Sequence, residues 1–349
     1  MSLSNPSKLL LRSEELLVSN NPLVVGCPDS EFLNNLINIA PQATISSYHI
    51  NFEYYQDSKT KYQDKVTTSF TENYQNSTGN LHDLVIIYFP KSKKEYQFML
   101  AMLAPTLTTD ATILVVGENK GGVKSCEKLS IDFSTICNKI DSARHCALYA
   151  ISFNGNDAPF NFDDWYSYFD INVDGVELKI ASLPGVFSHG DLDNGTRLLL
   201  EHLPSHISGK VLDFGCGAGI ISAFVAKKFP QSKVELLDIN ALALASAKKT
   251  LELNQLTGRV FASNGLSEVK GQYQAVISNP PFHQGIKTNY QATETFLKQV
   301  KEHLSFTGTL TIVANNFLKY APIIAAEISE PELLANKKGF AIHFCQKNI

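Results

Sequence analysis

Residues 210–220 read Lys-Val-Leu-Asp-Phe-Gly-Cys-Gly-Ala-Gly-Ile, an apolar run followed by three glycines at alternate positions. This order predicts a short buried strand, a tight loop whose backbone can approach a ligand closely, and a helix that continues to Lys228. A dinucleotide fingerprint needs its third glycine one residue later, and a P-loop needs a Gly-Lys-Ser/Thr ending. Both phosphate-binding interpretations are therefore disfavoured. The residues expected at a cofactor site here are Asp213, Gly215, Cys216, Gly217 and Gly219.

A β-α repeat continues from this loop toward the C-terminus. Residues 234–237 predict a second strand that ends in Asp238, whose carboxylate can accept both ribose hydroxyls of a nucleoside. Further predicted elements are strands at 260–262, 275–278 and 308–314 and helices at 241–254 and 291–304. Asn264, just after the third strand, is expected at an adenine edge. The residues expected at the site all lie at the ends of predicted strands, which indicates an α/β fold with its site at the carboxyl ends of the strands.

The tetrapeptide Asn279-Pro280-Pro281-Phe282 follows the fourth predicted strand and predicts the chemistry. A base amino group has its lone pair delocalised into the ring, so an enzyme that methylates it must hold its hydrogens with fixed oxygens. Asn279 supplies one such oxygen, and the prolines supply a rigid backbone carbonyl without competing N–H donors. Phe282 can stack on an extruded base, which is worth ~1–3 kcal/mol. These four residues are the predicted catalytic group, Asn279 is also expected to border the cofactor, and His283 is expected beside the base or a phosphate.

The first half of the chain contains a decayed copy of the second half. Residues 23–27 match 212–216, residues 83–90 match 274–281, and residues 112–116 match 309–313. However, Gly26 is followed by Cys-Pro-Asp-Ser rather than by alternating glycines, and Tyr88-Phe89-Pro90-Lys91 replaces Asn-Pro-Pro-Phe. We therefore expect two tandem Rossmann-like domains from an internal duplication. The first, residues 1–165, would be degenerate and lack a cofactor site, serving as scaffold or docking element, and the second, residues 166–349, would be catalytic.

Further motifs in the second half connect the chain to a known family. They are Pro184-Gly185-Val186-Phe187-Ser188, Leu192-Asp193-x-Gly195-Thr196, Phe261-Ala262-Ser263-Asn264, Ser278 to His283, and Ile312-Val313-Ala314-Asn315. With the glycine loop, they resemble the bacterial 16S rRNA (guanine-N2) methyltransferase family of the guanine-1207 type, within the class I S-adenosylmethionine-dependent methyltransferases. The resemblance covers most of the chain from about residue 171. It implies S-adenosylmethionine as cofactor and N2 methylation of one guanine in the small ribosomal subunit or an assembly intermediate.

Several alternatives share part of this pattern. Large-subunit 23S rRNA guanine-N2 methyltransferases have the same duplicated layout and tetrapeptide. Adenine-N6 DNA and glutamine-N5 protein methyltransferases use Asn-Pro-Pro-aromatic but have no reason to retain a degenerate twin. A noncatalytic RNA-binding assembly factor would not need an intact loop and tetrapeptide. At residue level, Asp193, Gly195 and Thr196 either line the cofactor entrance or belong to a helix N-terminus capped by Asp193 or Asn194. Residues 337–349 form a short, plain end that departs from the family.

The charge of −4 is unevenly distributed over the 349 residues. Residues 1–180 hold 14 Lys and Arg against 21 Asp and Glu, whereas residues 181–349 hold 16 against 13. The motif-bearing half is thus only weakly basic, and we expect it to recognise RNA through shape and local contacts rather than through charge alone. The acidic stretch 157–170 is expected to be an exposed connection between domains.

Composition also limits which partners and which cellular compartment are expected. The six cysteines form no C-x-x-C pair, and the histidines show no zinc spacing, so no metal is expected. No signal-peptide core or membrane-spanning run is present, which favours the cytoplasm. No heptads or long exposed apolar stripe appear, so we expect a monomer. The predicted partner is 16S rRNA, with neither DNA nor membrane involved.

Overall fold

The structure is a computed structural model that describes residues 3–156, 158–187, 190–280 and 287–348, the side chains of residues 287–290 excepted. The chain folds into two compact units, Met1–Trp165 and Tyr166–Ile349. No helix in the described ranges is both long and apolar enough to cross a bilayer.

The first unit is built on a seven-stranded sheet. Its strands are β1 (Pro22–Val25), β2 (Ile45–His49), β3 (Val66–Phe70), β4 (His82–Tyr88), β5 (Leu107–Glu118), β6 (Ser134–Ala143) and β7 (Cys146–Phe153), and its α-helices are α1 (Asn5–Leu10), α2 (Glu31–Ile39), α3 (Phe52–Tyr62), α4 (Lys93–Leu103) and α5 (Cys126–Leu129). The strand order is β3-β2-β1-β4-β5-β7-β6. The first five strands are parallel, and β7 runs antiparallel to β5 and β6. Strands β1 and β4 are nearly continuous buried apolar runs, which is typical of parallel strands covered on both faces.

The second unit repeats this arrangement. It contains β8 (Ser167–Val173), β9 (Val176–Ser182), β10 (Gly209–Phe214), β11 (Ser232–Asp238), β12 (Arg259–Ala262), β13 (Tyr273–Ser278), β14 (Leu304–Asn315), β15 (Glu332–Lys337) and β16 (Phe340–Gln346), with α6 (Asn194–Glu201), α7 (Ile220–Lys228), α8 (Ala241–Leu253), α9 (Lys287–Gln299) and α10 (Tyr320–Glu327). The seven-stranded sheet has the order β12-β11-β10-β13-β14-β16-β15, while β8 and β9 form a separate hairpin. The same strand order in both units confirms the predicted α/β class with two tandem Rossmann-like sheets.

The register of the second sheet gathers the predicted site residues at one edge. Phe214 pairs with Leu237 on one side and with Ser278 on the other, and Asp238 pairs with Ala262. Because these strands are parallel, the chain leaves all four of them at the same edge. Beneath this edge, Phe214 stacks on Phe296 of α9 with ring centroids 3.9 Å apart, which fixes the end of β10 in the core.

Backbone groups of the β8–β9 hairpin are hydrogen-bonded by polar side chains of α8 and of Asn254 directly after it. Backbone N–H groups of β9 and of the following residue donate to side chains on this helix: Ala181 to Thr250 Oγ1 at 3.1 Å and Leu183 to Ser246 Oγ at 3.0 Å. Lys179 N donates to Asn254 Oδ1 at 3.0 Å, and Asn254 Nδ2 donates back to the Lys179 carbonyl at 2.7 Å. These bonds satisfy a strand edge that would otherwise present unpaired backbone groups.

Three predicted elements differ from the structure. Residues 337–349, expected to be plain, belong mainly to the antiparallel β15–β16 hairpin, whose turn residues Lys338 and Gly339 have φ values of 50° and 85°. The acidic connection is shorter than predicted, since residues from Ser167 onward form β8. The helix predicted at 291–304 instead starts at Lys287 and ends at Gln299, after which the chain forms one 3-10 turn and enters β14.

Candidate active site

The glycine loop after β10 has a backbone that only glycine adopts easily. Gly215, Gly217 and Gly219 have φ values of 71°, 51° and 77°. A Cβ on Gly219 would lie 2.9 Å from the Ala247 Cα, so this glycine permits α7 and α8 to pack closely. A Cβ on Gly215 or Gly217 would meet no described atom within 4 Å. The third glycine therefore serves packing, and the first two border open space that a ligand can approach.

Asp213 presents a buried carboxylate beneath this loop. Its Oδ2 accepts hydrogen bonds from Ser222 N at 3.1 Å and Ser222 Oγ at 2.9 Å. Its Oδ1 is buried and has no hydrogen-bond partner among the described residues. Burial raises the pKa of Asp213 to about 7, against the lowering effect of the two Ser222 bonds. A cationic group beside Oδ1 would favour the ionised carboxylate, which suits the amino group of the predicted cofactor.

Asp238 ends β11 beside the loop. Its Oδ2 accepts from Gly217 N and its Oδ1 accepts from Asn240 N, each at 3.0 Å. Burial raises its pKa, and the backbone hydrogen bonds act in the opposite direction. Each oxygen keeps a second lone pair, so the carboxylate is fixed in place and can still accept ribose hydroxyls.

Cys216 and Asn264 occupy the same edge in different environments. Cys216 is buried, and burial raises the pKa of its thiol well above the ordinary value, so it is protonated at neutral pH. Asn264 follows β12 and is exposed. Its backbone carbonyl accepts a hydrogen bond from Ser267 N at 3.2 Å in a turn. The predicted adenine contact of Asn264 stays a prediction.

Asn279, directly after β13, is held by one end of its amide. Its Nδ2 donates to Thr196 Oγ1 at 2.7 Å and to Asp193 Oδ2 at 3.2 Å. Its Oδ1 is buried and has no partner among the described residues. The strand end itself is fixed because Ser278 Oγ donates to the Phe214 carbonyl at 2.8 Å. The result is an oriented acceptor at the same sheet edge as the glycine loop.

The remaining residues of the predicted catalytic group are only partly described. Pro280 is buried beside Asn279. Pro281, Phe282 and His283 lie outside the described residues, as does Ser188 of the upstream motif. The roles assigned to them from the sequence therefore stay predictions.

Asp193 and Thr196 are contacts of Asn279 that the sequence did not reveal. Asp193 is the N-cap of α6, and its Oδ2 accepts from Thr196 N at 2.9 Å. The capping pattern was visible in the sequence. The additional contact to Asn279 was not, because it joins residues 83 and 86 positions apart along the chain.

The comparisons with known proteins agree with this geometry. A family model for the methyltransferase small domain matches residues 177–343, and one for its N-terminal domain matches residues 7–169. A ribosomal RNA small subunit methyltransferase C from Colwellia psychrerythraea is 48% identical over 99% of this chain and 98% of its own length. A protein of the same name from Psychromonas ingrahamii is 45% identical over 98% and 97%. The chain belongs to the ribosomal RNA small subunit methyltransferase C family.

A solved structure agrees on the fold of this methyltransferase C family. The T. thermophilus 16S rRNA N2 methyltransferase for guanine 1207, determined in complex with AdoMet and guanosine, superposes with a TM-score of 0.81 at 19% identity. The match covers 97% of this chain and 92% of that protein. This structure supports the fold, and the two curated relatives and the family models confirm the family resemblance and the methyltransferase class predicted from the sequence.

Proposed function

We propose that this chain transfers a methyl group from S-adenosylmethionine to the exocyclic N2 of one guanine in 16S rRNA, with guanine 1207 as the target. The observation that carries the proposal is the buried Oδ1 of Asn279, which has no partner among the described residues and lies at the sheet edge that also holds the glycine loop. The relatives' name specifies small-subunit rRNA, and the T. thermophilus protein binds AdoMet and guanosine. These names support the small subunit over the large one.

The residues of the second unit fit S-adenosylmethionine. Open space next to Gly215 and Gly217 lets the backbone approach the cofactor. Asp213 Oδ1, which has no partner among the described residues, suits the cofactor amino group, and Asp238 has lone pairs for the ribose hydroxyls. Asn264 is assigned to the adenine edge. When bound, the cofactor supplies an electrophilic sulfonium methyl group, so no strong acid or base is required of the protein.

The protein's own contribution is orientation of the guanine. Asn279 Oδ1 and the Pro280 carbonyl accept the two N2 hydrogens, which directs the nitrogen lone pair toward the methyl group. Phe282 stacks on the extruded base, and His283 lies beside the base or a phosphate. Water takes the proton after transfer, because the methylated, positively charged amine is strongly acidic.

The two units have separate roles in this proposal. Residues 166–349 form the catalytic domain, and residues 1–165 form a degenerate domain without a cofactor site that serves as scaffold or docking element. The substrate is the small subunit or an assembly intermediate, methylated in the cytoplasm by a monomer without DNA or membrane as partner.

The test uses ribosomal subunits that lack the modification. Small and large subunits are incubated separately with the protein and tritiated S-adenosylmethionine, and the labelled nucleosides are mapped by mass spectrometry. The expected product is one N2-methylguanosine in 16S rRNA. Label in 23S rRNA would support the large-subunit alternative, and subunit binding without label would support a noncatalytic assembly factor.

A further inference from the structure

The Thr196 hydroxyl lies between two groups of opposite hydrogen-bonding character. Its Oγ1 is 3.4 Å from Asp193 Oδ2, to which it donates, and 2.7 Å from Asn279 Nδ2, from which it accepts. Thr196 is 5% exposed, so water hardly competes for these bonds. The carboxylate thus fixes the direction of the hydroxyl, and the hydroxyl presents a lone pair to the amide.

We propose that Thr196 is a positioning residue that, together with the Asp193 carboxylate, determines which end of the Asn279 amide faces the substrate. A flipped amide would place Oδ1 against the Thr196 lone pair and the Asp193 carboxylate, which is repulsive. Only the observed orientation presents Oδ1 as an acceptor for an incoming amino group. Donation from Nδ2 toward the carboxylate also polarises the amide and makes Oδ1 a stronger acceptor. The role rests on the proposed function, since it concerns the amide that holds the guanine.

Helix capping does not account for this hydroxyl. The cap is the bond from the backbone Thr196 N to Asp193 Oδ2 at 2.9 Å, which a residue without a side-chain hydroxyl would also donate. The first unit contains a matching bridge, in which Ser7 Oγ lies 2.7 Å from the Tyr88 hydroxyl. Joining the first helix to the fourth strand is thus a feature of the fold. What is particular to Thr196 is that its partner is an amide with two chemically different ends.

The kinetic test compares two substitutions at one position. Thr196→Val keeps the shape and the cap but removes the acceptor, whereas Thr196→Ser keeps the hydroxyl. On small subunits we expect Thr196→Val to lower kcat by about 10- to 100-fold, because a misoriented acceptor costs about that much. S-adenosylmethionine affinity and melting temperature should stay near the parent values, and Thr196→Ser should restore most of the rate. A Thr196→Val rate within twofold of the parent would overturn the proposal.

A second measurement does not depend on activity. In protein labelled with ¹⁵N-asparagine, the side-chain NH₂ signal of Asn279 is identified by its absence from the Asn279→Ala variant. We expect this signal to exchange slowly with solvent in the parent and in Thr196→Ser, and at least about tenfold faster in Thr196→Val. Equal exchange in all three proteins would refute the positioning role. If the parent methylates no subunit, the proposed function fails, and this signal still decides whether Thr196 orients the amide.

Discussion

The carboxyl edges of the two seven-stranded sheets carry different side chains at matching positions. In the second unit, Thr196 binds the Asn279 amide and leaves its Oδ1 without a partner among the described residues. In the first unit, Ser7, at the same place in the first helix, donates to Asp29 Oδ2 at 2.8 Å, so the Tyr88 hydroxyl at 2.7 Å must donate to Ser7. The same scaffold therefore presents a free acceptor in one unit and a phenol already bonded within the protein in the other.

The glycine positions differ in the same way. Gly26 keeps a φ of 69° like Gly215, but Pro28 and Ser30 stand at the positions that match Gly217 and Gly219. Burial raises the pKa of Cys27 to about 12, so its thiol is protonated at neutral pH. Apolar strand residues therefore preserve the architecture in both units, while a few polar and glycine positions decide whether a ligand site exists.

The largest difference between the units should follow from removing the Asn279 amide. Asn279→Ala is expected to lower kcat on small subunits by about 10²- to 10³-fold, since the guanine loses a fixed acceptor, while S-adenosylmethionine affinity changes little. The matched control in the first unit is Tyr88→Phe, which should methylate at the parent rate. A fully active Asn279→Ala, or an inactive but stable Tyr88→Phe, would contradict the assignment of roles.

Two glycine substitutions should distinguish the glycine that borders the cofactor site from the glycine that permits helix packing. Gly217→Ala fills open space at a positive φ and is expected to raise the Kd for S-adenosylmethionine by about tenfold or more, measured by calorimetry. Gly219→Ala meets the Ala247 backbone and should destabilise the fold by about 1–3 kcal/mol in urea unfolding. Gly26→Ala, the matched control, should leave cofactor affinity unchanged. If Gly217→Ala binds the cofactor with the parent affinity, the loop does not form the cofactor-binding site.

Cofactor affinity should depend on pH through Asp213. With a pKa of about 7 in the free protein, Asp213 must ionise to meet a cationic amino group, so the Kd should rise about tenfold between pH 8 and pH 6. The matching position of the first unit holds Val24 and cannot contribute. Calorimetry at several pH values checks this, and Asp213→Asn should bind more weakly with a flat profile. An equally steep profile in Asp213→Asn would assign the titration to another group.

The same pKa shift has an opposite consequence for the stability of the free protein. The folded pKa of Asp213 lies above its ordinary value, so its contribution to stability is fully present below about pH 4 and is lost as the pH rises through about 7. Asp213→Asn should therefore raise the melting temperature of the cofactor-free protein more at pH 8 than at pH 5. Equal shifts at both pH values would contradict a raised pKa.

The smallest effect is expected from the bridge in the first unit. Tyr88→Phe removes one buried hydroxyl bond to Ser7 and should lower the free energy of unfolding by about 0.5–1.5 kcal/mol. Urea unfolding of the full chain measures it, with the exposed Tyr168→Phe as control. A loss above about 3 kcal/mol would mean that this bridge organises the first unit far more strongly than one hydrogen bond does.

The parallel core of the second unit was predictable because its signals are local. The apolar runs that become β10, β11, β12, β13 and β14 are visible from period and composition, and the first four have a predicted site residue at or just after their end. The final hairpin was missed although Lys338-Gly339 is a turn signal, because the flanking strands are short and partly exposed. β8 was masked by its acidic, alternating sequence, which suggested a solvated connection.

The sequence predicts which residues form the site but not which of them contact one another. The sequence placed Asp213, Asp238 and Asn279 at strand ends, and the structure places all three at one edge. It could not separate Gly219, which serves packing, from Gly215 and Gly217, because the difference lies in the distance to Ala247. Likewise, the bond from Thr196 to Asn279 depends on tertiary register, which no local pattern encodes.

The side-chain bonds that α8 makes to β9 determine where the chain can be cut. A fragment starting at Tyr166 would retain the hairpin and the partners of Thr250, Ser246 and Asn254. One starting after Leu183 would remove the partners of these three side chains, which lie on or directly after α8, the helix whose Ala247 packs against the last loop glycine. Domain dissection should therefore treat the hairpin as part of the catalytic unit, because trimming it as a linker would loosen the helix behind the cofactor loop.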